Sequence, residues 1–280
     1  MKIFDLPALA VVLYKLNLMQ KTYEETIESG KGSVSLIPEQ FDSVKTTVLE
    51  AAHFCASAGF GDAVGQIGST ILHLEKVPNI FDSSSVACEL RHVKMAVEIE
   101  MFKHQFVQVL ADRMKYVNQD RLFGEEVHAA FPSAAFDIRE AGNCLAVESN
   151  VAAIYHLMCA VEYGLRAVAW DRRIKFPKGP VELHQWGEIL KELDRVVFGI
   201  QQWPKSRIRE AAHEFYNKAL LEIRSFNDAY RRHIMHSRER NYSREDALAI
   251  FTHVKDFMAL LATRISETKR TPSRWKGVAL

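Results

Sequence analysis

Cysteine is scarce in this sequence. Cys55, Cys88, Cys144 and Cys159 stand far apart, and none belongs to a CxxC pair. Each has apolar neighbours, so reduced, buried thiols are expected rather than a disulfide framework. Net charge is almost absent, since 36 Lys+Arg face 35 Asp+Glu for a formal +1. That excludes a global field for nucleic acid or membrane and leaves any steering to local patches. Long apolar runs are missing as well, and no segment approaches the roughly 20 residues that a membrane span requires. The opening Met1-Lys2-Ile3-Phe4-Asp5-Leu6-Pro7 puts an acid and a proline where a signal peptide needs an unbroken apolar stretch. The expectation is a soluble, cytoplasmic protein with no membrane partner. Alternating strand patterns, internal repeats and low-complexity blocks are not evident. HExxH, Walker, GxGxxG and GxSxG motifs are absent, which gives no support to zinc-protease, P-loop, dinucleotide or nucleophile-elbow chemistry, and no cofactor is expected.

Helical periodicity is abundant, and the fold class it implies is all-α. With 48% hydrophobic residues, the chain can bury one or two sizeable cores. Asp5-Leu6-Pro7 reads as a helix start, followed by Leu9, Val12, Leu13, Leu16 and Met19 at helical spacing. A second pattern runs from near Pro38 to Cys55 and breaks at residues 58–61. A third carries Val64, Ile67, Ile71 and Leu74. A long fourth follows Ser83 and extends through Cys88, Val93, Val97, Met101, Phe106 and Leu110. Residues 118–124 read as a connector, which places a domain boundary near 122: an N-terminal helical domain of unassigned role, 1–122, and a second domain, 123–280. In the second, a helical pair covers about 134–147 and 150–170, with a turn at Phe131-Pro132-Ser133 before it. A short helix follows around Trp186 to Gly199. From Ser206, the stripe Ile208, Ala212, Phe215, Ala219, Ile223, Phe226 and Tyr230 marks the penultimate helix. Ser243 with Asp246 forms a capping-box-like start for a last helix bearing Ala247, Ile250, Phe251, Val254, Met258, Leu261 and Ile265.

Between those two helices lies Tyr230-Arg231-Arg232-His233-Ile234-Met235-His236. Arginine holds a phosphate with a planar fork of donors, and histidine moves a proton near neutral pH. At about 100° per residue, Arg231 and His236 lie roughly 140° apart on an unbroken helix, so the helix must end or distort for them to act together. The plain alternative is a helix C-terminus, where arginine and histidine complement the macrodipole. His233 reads either as a substrate-binding group or as a helix-end histidine. His233 and His236 are three apart, but no carboxylate or cysteine is placed to complete a metal site. Glu162, four residues before Arg166 in an apolar helix, reads as an ordinary ion pair or as an acceptor orienting Arg231 or His236. Tyr242 reads as a base-stacking ring or as a staple ahead of the helix cap. Arg231, Arg232, Arg238, Arg240 and Arg244, with Arg172, Arg173, Lys175 and Lys178, are a candidate basic track for an RNA backbone, or solvated surface charge.

The Arg231-to-His236 run resembles the signature of the HEPN family (higher eukaryote and prokaryote nucleotide-binding domains), an arginine followed a few residues later by histidine. The passage from Ser237 through Tyr242 into Ala247-Leu248-Ala249-Ile250-Phe251 is similar to prokaryotic members, as are Phe131-Pro132-Ser133-Ala134-Ala135 and Ala152-Ala153-Ile154-Tyr155-His156-Leu157-Met158 with Val161-Glu162-Tyr163-Gly164-Leu165-Arg166-Ala167. The likeness covers about residues 123–266. Arg232 departs from it, standing where members often have asparagine or another small polar residue. The resemblance implies a helical bundle that usually dimerises and brings two motifs into one cleft. Many members are metal-independent endoribonucleases, often toxins or phage-defence effectors with a protein antitoxin or defence partner. Others are non-catalytic modules that bind RNA or nucleotide, or helical scaffolds. Carried onto this chain, Arg231 holds the scissile phosphate of RNA, and His236 shuttles the proton during attack by the ribose 2′-hydroxyl, leaving a 2′,3′-cyclic phosphate. Glu162, Arg232 and His233 are the supporting residues.

Overall fold

The computed structural model describes residues 4–31, 33–76, 81–177, 179–231 and 241–268. Among them helices account for the regular structure, and the one extended pairing is an isolated bridge between Ser35 and Asp82. The all-α expectation holds. The chain divides into two compact units, Lys2–Val107 and Gln108–Leu280.

The division falls earlier than residue 122, and the reason is visible in the segment between. A 3-10 helix at Ala111–Tyr116 and the connector after it are tied into the second unit. Asn118 N–H donates to Asn143 Oδ1 at 2.8 Å, Arg113 reaches Glu148 at 2.5 Å, and the Tyr116 ring meets Phe251 edge-on at 5.8 Å.

The first unit contains α1 (Leu6–Thr26), α2 (Pro38–Ala58), α3 (Gly61–Lys76) and α4 (Ser83–Phe102). Asp5 caps α1 by accepting the Ala8 N–H at 2.9 Å, satisfying one of the orphan donors of the first turn. Gly59 ends α2 at φ 81°, a left-handed position that glycine adopts without strain. Leu16, Val44, Val48, Ile67, Leu90 and Val97 are fully enclosed where the helices meet. The fourth helix stops sooner than its periodicity suggests. Phe106 and Leu110 lie beyond it, and Phe102 at its end is 90% exposed, so the apolar spacing there does not continue the helix. Expected burial of all four thiols also fails: Cys55 is buried, Cys144 and Cys159 are partly buried, and Cys88 is exposed.

The second unit is built around α7. Its helices are α5 (Glu125–Ala130), α6 (Ala135–Ala146), α7 (Asn150–Asp171), α8 (Trp186–Gln201), α9 (Arg207–Phe226) and α10 (Arg244–Ala262). Too short to show a period, α5 escapes the sequence reading, and Phe131-Pro132-Ser133 forms the start of a 3-10 turn before α6. α7 is long and apolar enough to cross a membrane by length and composition, contrary to the expectation that no segment approaches this. Here Ile154, Leu157, Val161, Leu165 and Val168 are instead buried in the core shared with α8, α9 and α10. Gly164 lets α10 come close: a Cβ there would meet Leu261 Cδ1 at 2.9 Å and Met258 Sδ at 3.1 Å. Ser243 opens α10 as the sequence implies, accepting the Asp246 N–H at 3.1 Å while Asp246 Oδ2 accepts the Ser243 N–H at 3.0 Å. This reciprocal cap pins the entry to the last helix.

A candidate anion site around Arg231

α9 does not run straight into the motif. Its last residues widen into a π-helical turn, Asn227–Arg231, a distortion often found at functional positions. Arg231 is the final residue of that turn and the last described before 241. Its guanidinium lies over the Trp186 ring, 4.8 Å from the centroid. Trp186 begins α8 and is almost completely buried, so the arginine rests on a fixed aromatic shelf.

Glu162 of α7 closes the other side. Its Oε1 accepts from Arg166 Nη2 at 2.5 Å, and its Oε2 stands 4.0 Å from Arg231 Nη2. Both readings of Glu162 are therefore present in one carboxylate: the i,i+4 pair and the cross-element approach. At 4.0 Å the second contact is electrostatic, not a hydrogen bond. Arg231 makes no hydrogen bond to a described residue and keeps 30% of its side chain exposed. A half-sheltered guanidinium with uncommitted donors is suited to an anion.

Further groups share this face. At 100° per residue, Tyr155, His156, Cys159, Glu162, Tyr163 and Arg166 fall within a sector of about 120° on α7. Asp137 of α6 joins them, its Oδ1 2.8 Å from His156 Nδ1. The other ring nitrogen, Nε2, has no partner among the described residues. Burial, helped by the Asp137 charge, pushes the Cys159 thiol up to about 11, while the Tyr155 hydrogen bond and the Arg231 charge act the other way. A thiol so poised is almost wholly protonated at neutral pH and is no nucleophile. Asp137, His156 and the Trp186 shelf were missed by reading the motif alone; the sector on α7 is the sequence signal that locates His156.

Several expected site residues fall elsewhere. Arg232, His233, His236, Arg238 and Arg240 lie outside the described residues, as does Lys178. Arg172 is not a surface cation: it is buried beside Asp171 at 2.9 Å and stacks over Tyr216 at 4.5 Å, while the Tyr216 hydroxyl donates to Asp171 at 2.6 Å. That leaves it tied to the packing of α7 on α9. Arg244 is paired with Asp112 at 3.0 Å. The basic track therefore loses Arg172, and Arg244 is partly neutralised. Tyr242 is partly buried against the core, and Asn150 Nδ2 donates to its carbonyl at 3.0 Å; that placement matches a staple better than an open stacking ring. His253 is packed, its Nε2 2.5 Å from Glu222 and its ring 4.4 Å from Phe226. Among the described residues no group of three His, Cys, Asp or Glu side chains converges as a metal site.

No family model, no curated protein and no solved structure matches this chain.

Proposed function

We propose that this protein is a metal-independent endoribonuclease of HEPN type, with Arg231 holding the scissile phosphate and His236 transferring the proton. One observation carries the reading: Arg231 ends a distorted helical turn with its guanidinium between the Trp186 ring and the Glu162 carboxylate, its donors unused. Such an arginine is pre-aimed, so it stabilises charge developing on a phosphate without first reorganising. The histidine serves as base toward the ribose 2′-hydroxyl, whose attack expels the 5′-oxygen and leaves a 2′,3′-cyclic phosphate. Glu162 positions Arg231, and Arg232 and His233 assist in binding the RNA.

One histidine does not easily act as base and acid in the same turnover, so the reading includes a homodimer in which a second copy supplies the other. A solution mass equal to one chain at high concentration removes that part of it. The test of activity is incubation of purified protein with mixed RNA in excess chelator. Cutting that disappears in a folded His236→Ala protein supports the assignment, and cutting that persists defeats it. RNA bound but never cut identifies a non-catalytic RNA-binding module instead. Toxin or phage-defence roles predict slowed growth on expression of the wild-type chain and normal growth with His236→Ala.

A further inference from the structure

We propose that the cleft between α7 and the turn Val181–Leu183 is a nucleobase pocket selective for guanine; this rests on the RNA-directed reading above for its choice of a nucleotide ligand. The cleft encloses about 260 Å³, just under the roughly 300–1,000 Å³ of sites for drug-sized ligands. It therefore fits one heterocycle and not an oligonucleotide. Trp170, in the last turn of α7, presents an exposed indole to it, and Tyr163 and Arg166 line it two and one turns earlier on the same helix. Base stacking on an open indole is strong and indifferent to base identity, so selectivity has to come from the polar rim.

That rim carries charge of both signs. Arg166 Nη2 is committed to Glu162, and Arg166 Nε is buried without a hydrogen-bond partner among the described residues. Nε is enclosed by protein, so it is the charge and the outer nitrogens of Arg166 that the cleft presents to a ligand. Glu182, from the turn, makes no hydrogen bond or ion pair to a described residue. Glu267 uses one oxygen to accept the Ser133 N–H at 2.5 Å, and its other oxygen has no partner among the described residues. The cleft thus offers a guanidinium donor beside two carboxylate acceptors. Guanine carries adjacent N1–H and 2-amino donors that match a carboxylate, and O6 and N7 acceptors that match an arginine. Adenine lacks the paired donors. Uracil presents a single N–H flanked by two carbonyls, which a carboxylate repels. The two glutamates also exclude a phosphate from the cleft, so the base enters it. The phosphate is left to Arg231, which approaches the same Glu162 that holds Arg166.

The experiment is calorimetric titration of the full chain with the 5′-monophosphates of guanosine, adenosine, cytidine and uridine. The phosphate is common to all four, so differences report the base. Guanosine monophosphate is expected to bind at least about tenfold more tightly than the others. Trp170→Ala is expected to weaken all four by about tenfold, and Glu182→Gln to narrow the preference for guanine. Circular dichroism establishes that both variants are folded. Equal affinities for the four nucleotides, or a folded Trp170→Ala protein that binds the guanosine form as well as wild type, overturns the proposal. Binding is read without cleavage, so the two readings fail separately. Selective guanine binding by a protein that cuts no RNA supports the pocket while removing the nuclease. Cutting with no guanine preference in binding removes the pocket alone.

Discussion

The guanidinium of Arg231 stacks on the indole of Trp186 at 4.8 Å, and that contact, with the Glu162 carboxylate 4.0 Å away, orients the arginine. No hydrogen bond to a described residue does so. The planar group matters as much as the charge, because an ammonium neither stacks in this way nor presents a fork of donors. Arg231→Lys is therefore expected to lower RNA cutting at least about tenfold, with stability changed by less than about 1 kcal/mol. Activity assays beside thermal melts check it, and wild-type cutting by the lysine form contradicts it.

Glu162 links Arg166 and Arg231, and each of the three side chains is only partly exposed. Glu162→Gln keeps the shape and removes the charge. It should lower stability by about 1 kcal/mol and lower kcat more than it raises KM, because Arg231 loses its positioning rather than its donors. A denaturant melt and a kinetic split measure both effects. A purely structural Glu162 would change the melt and leave kcat alone.

Two glycines predict opposite signs. Gly164 sits where α7 meets α10, and a Cβ would press on Leu261, Met258 and the Phe257 ring at 3.2 Å. Gly164→Ala is expected to cost about 1–3 kcal/mol from overpacking. Gly199 lies in α8 with no atom of the described residues within 4 Å of an added Cβ. Gly199→Ala should stabilise by up to about 1 kcal/mol, through helix propensity and a less free unfolded chain. Paired urea unfolding curves decide both.

Two sheltered thiols, Cys55 buried and Cys159 partly buried, predict alkaline sensitivity. Burial pushes both Cys55 and Cys159 up from 9.0 to about 11, so each holds its proton more tightly in the folded chain than in the unfolded one. Their contribution to stability is complete below about pH 9 and is lost as pH rises through about 11. Unfolding free energy should fall across that window. At pH 7.5 a thiol reagent should modify the exposed Cys88 first, with Cys55 and Cys159 protected until the chain opens. Peptide mapping after timed alkylation reads the order.

Much of the helical framework was legible in the sequence because caps and periodicity agree locally. Asp5, Gly59 and the Ser243–Asp246 pair mark boundaries the chain then adopts. The six-residue α5 gave no period to read, and the Phe106 and Leu110 pattern continued past the true end of α4 because apolar spacing alone does not mark where a helix stops. Around Arg231, the motif pointed to the position, while Glu162 was found from its charge in an apolar helix. Trp186, Asp137 and the cleft beside Trp170 were not legible. They arrive from α8, α6 and loops far away in sequence, and only tertiary packing brings them to α7. Arg172 misled for the same reason: its charge suggests solvent, and its partner Asp171 lies in the core.

The most direct measurement is the chemistry of the RNA ends produced in excess chelator by wild-type, Arg231→Ala and His236→Ala proteins, each verified as folded. The account predicts 2′,3′-cyclic phosphate ends from the wild type and at least about a hundredfold less product from either variant. Ends bearing a 3′-hydroxyl, or undiminished cutting by the Arg231→Ala protein, would contradict it.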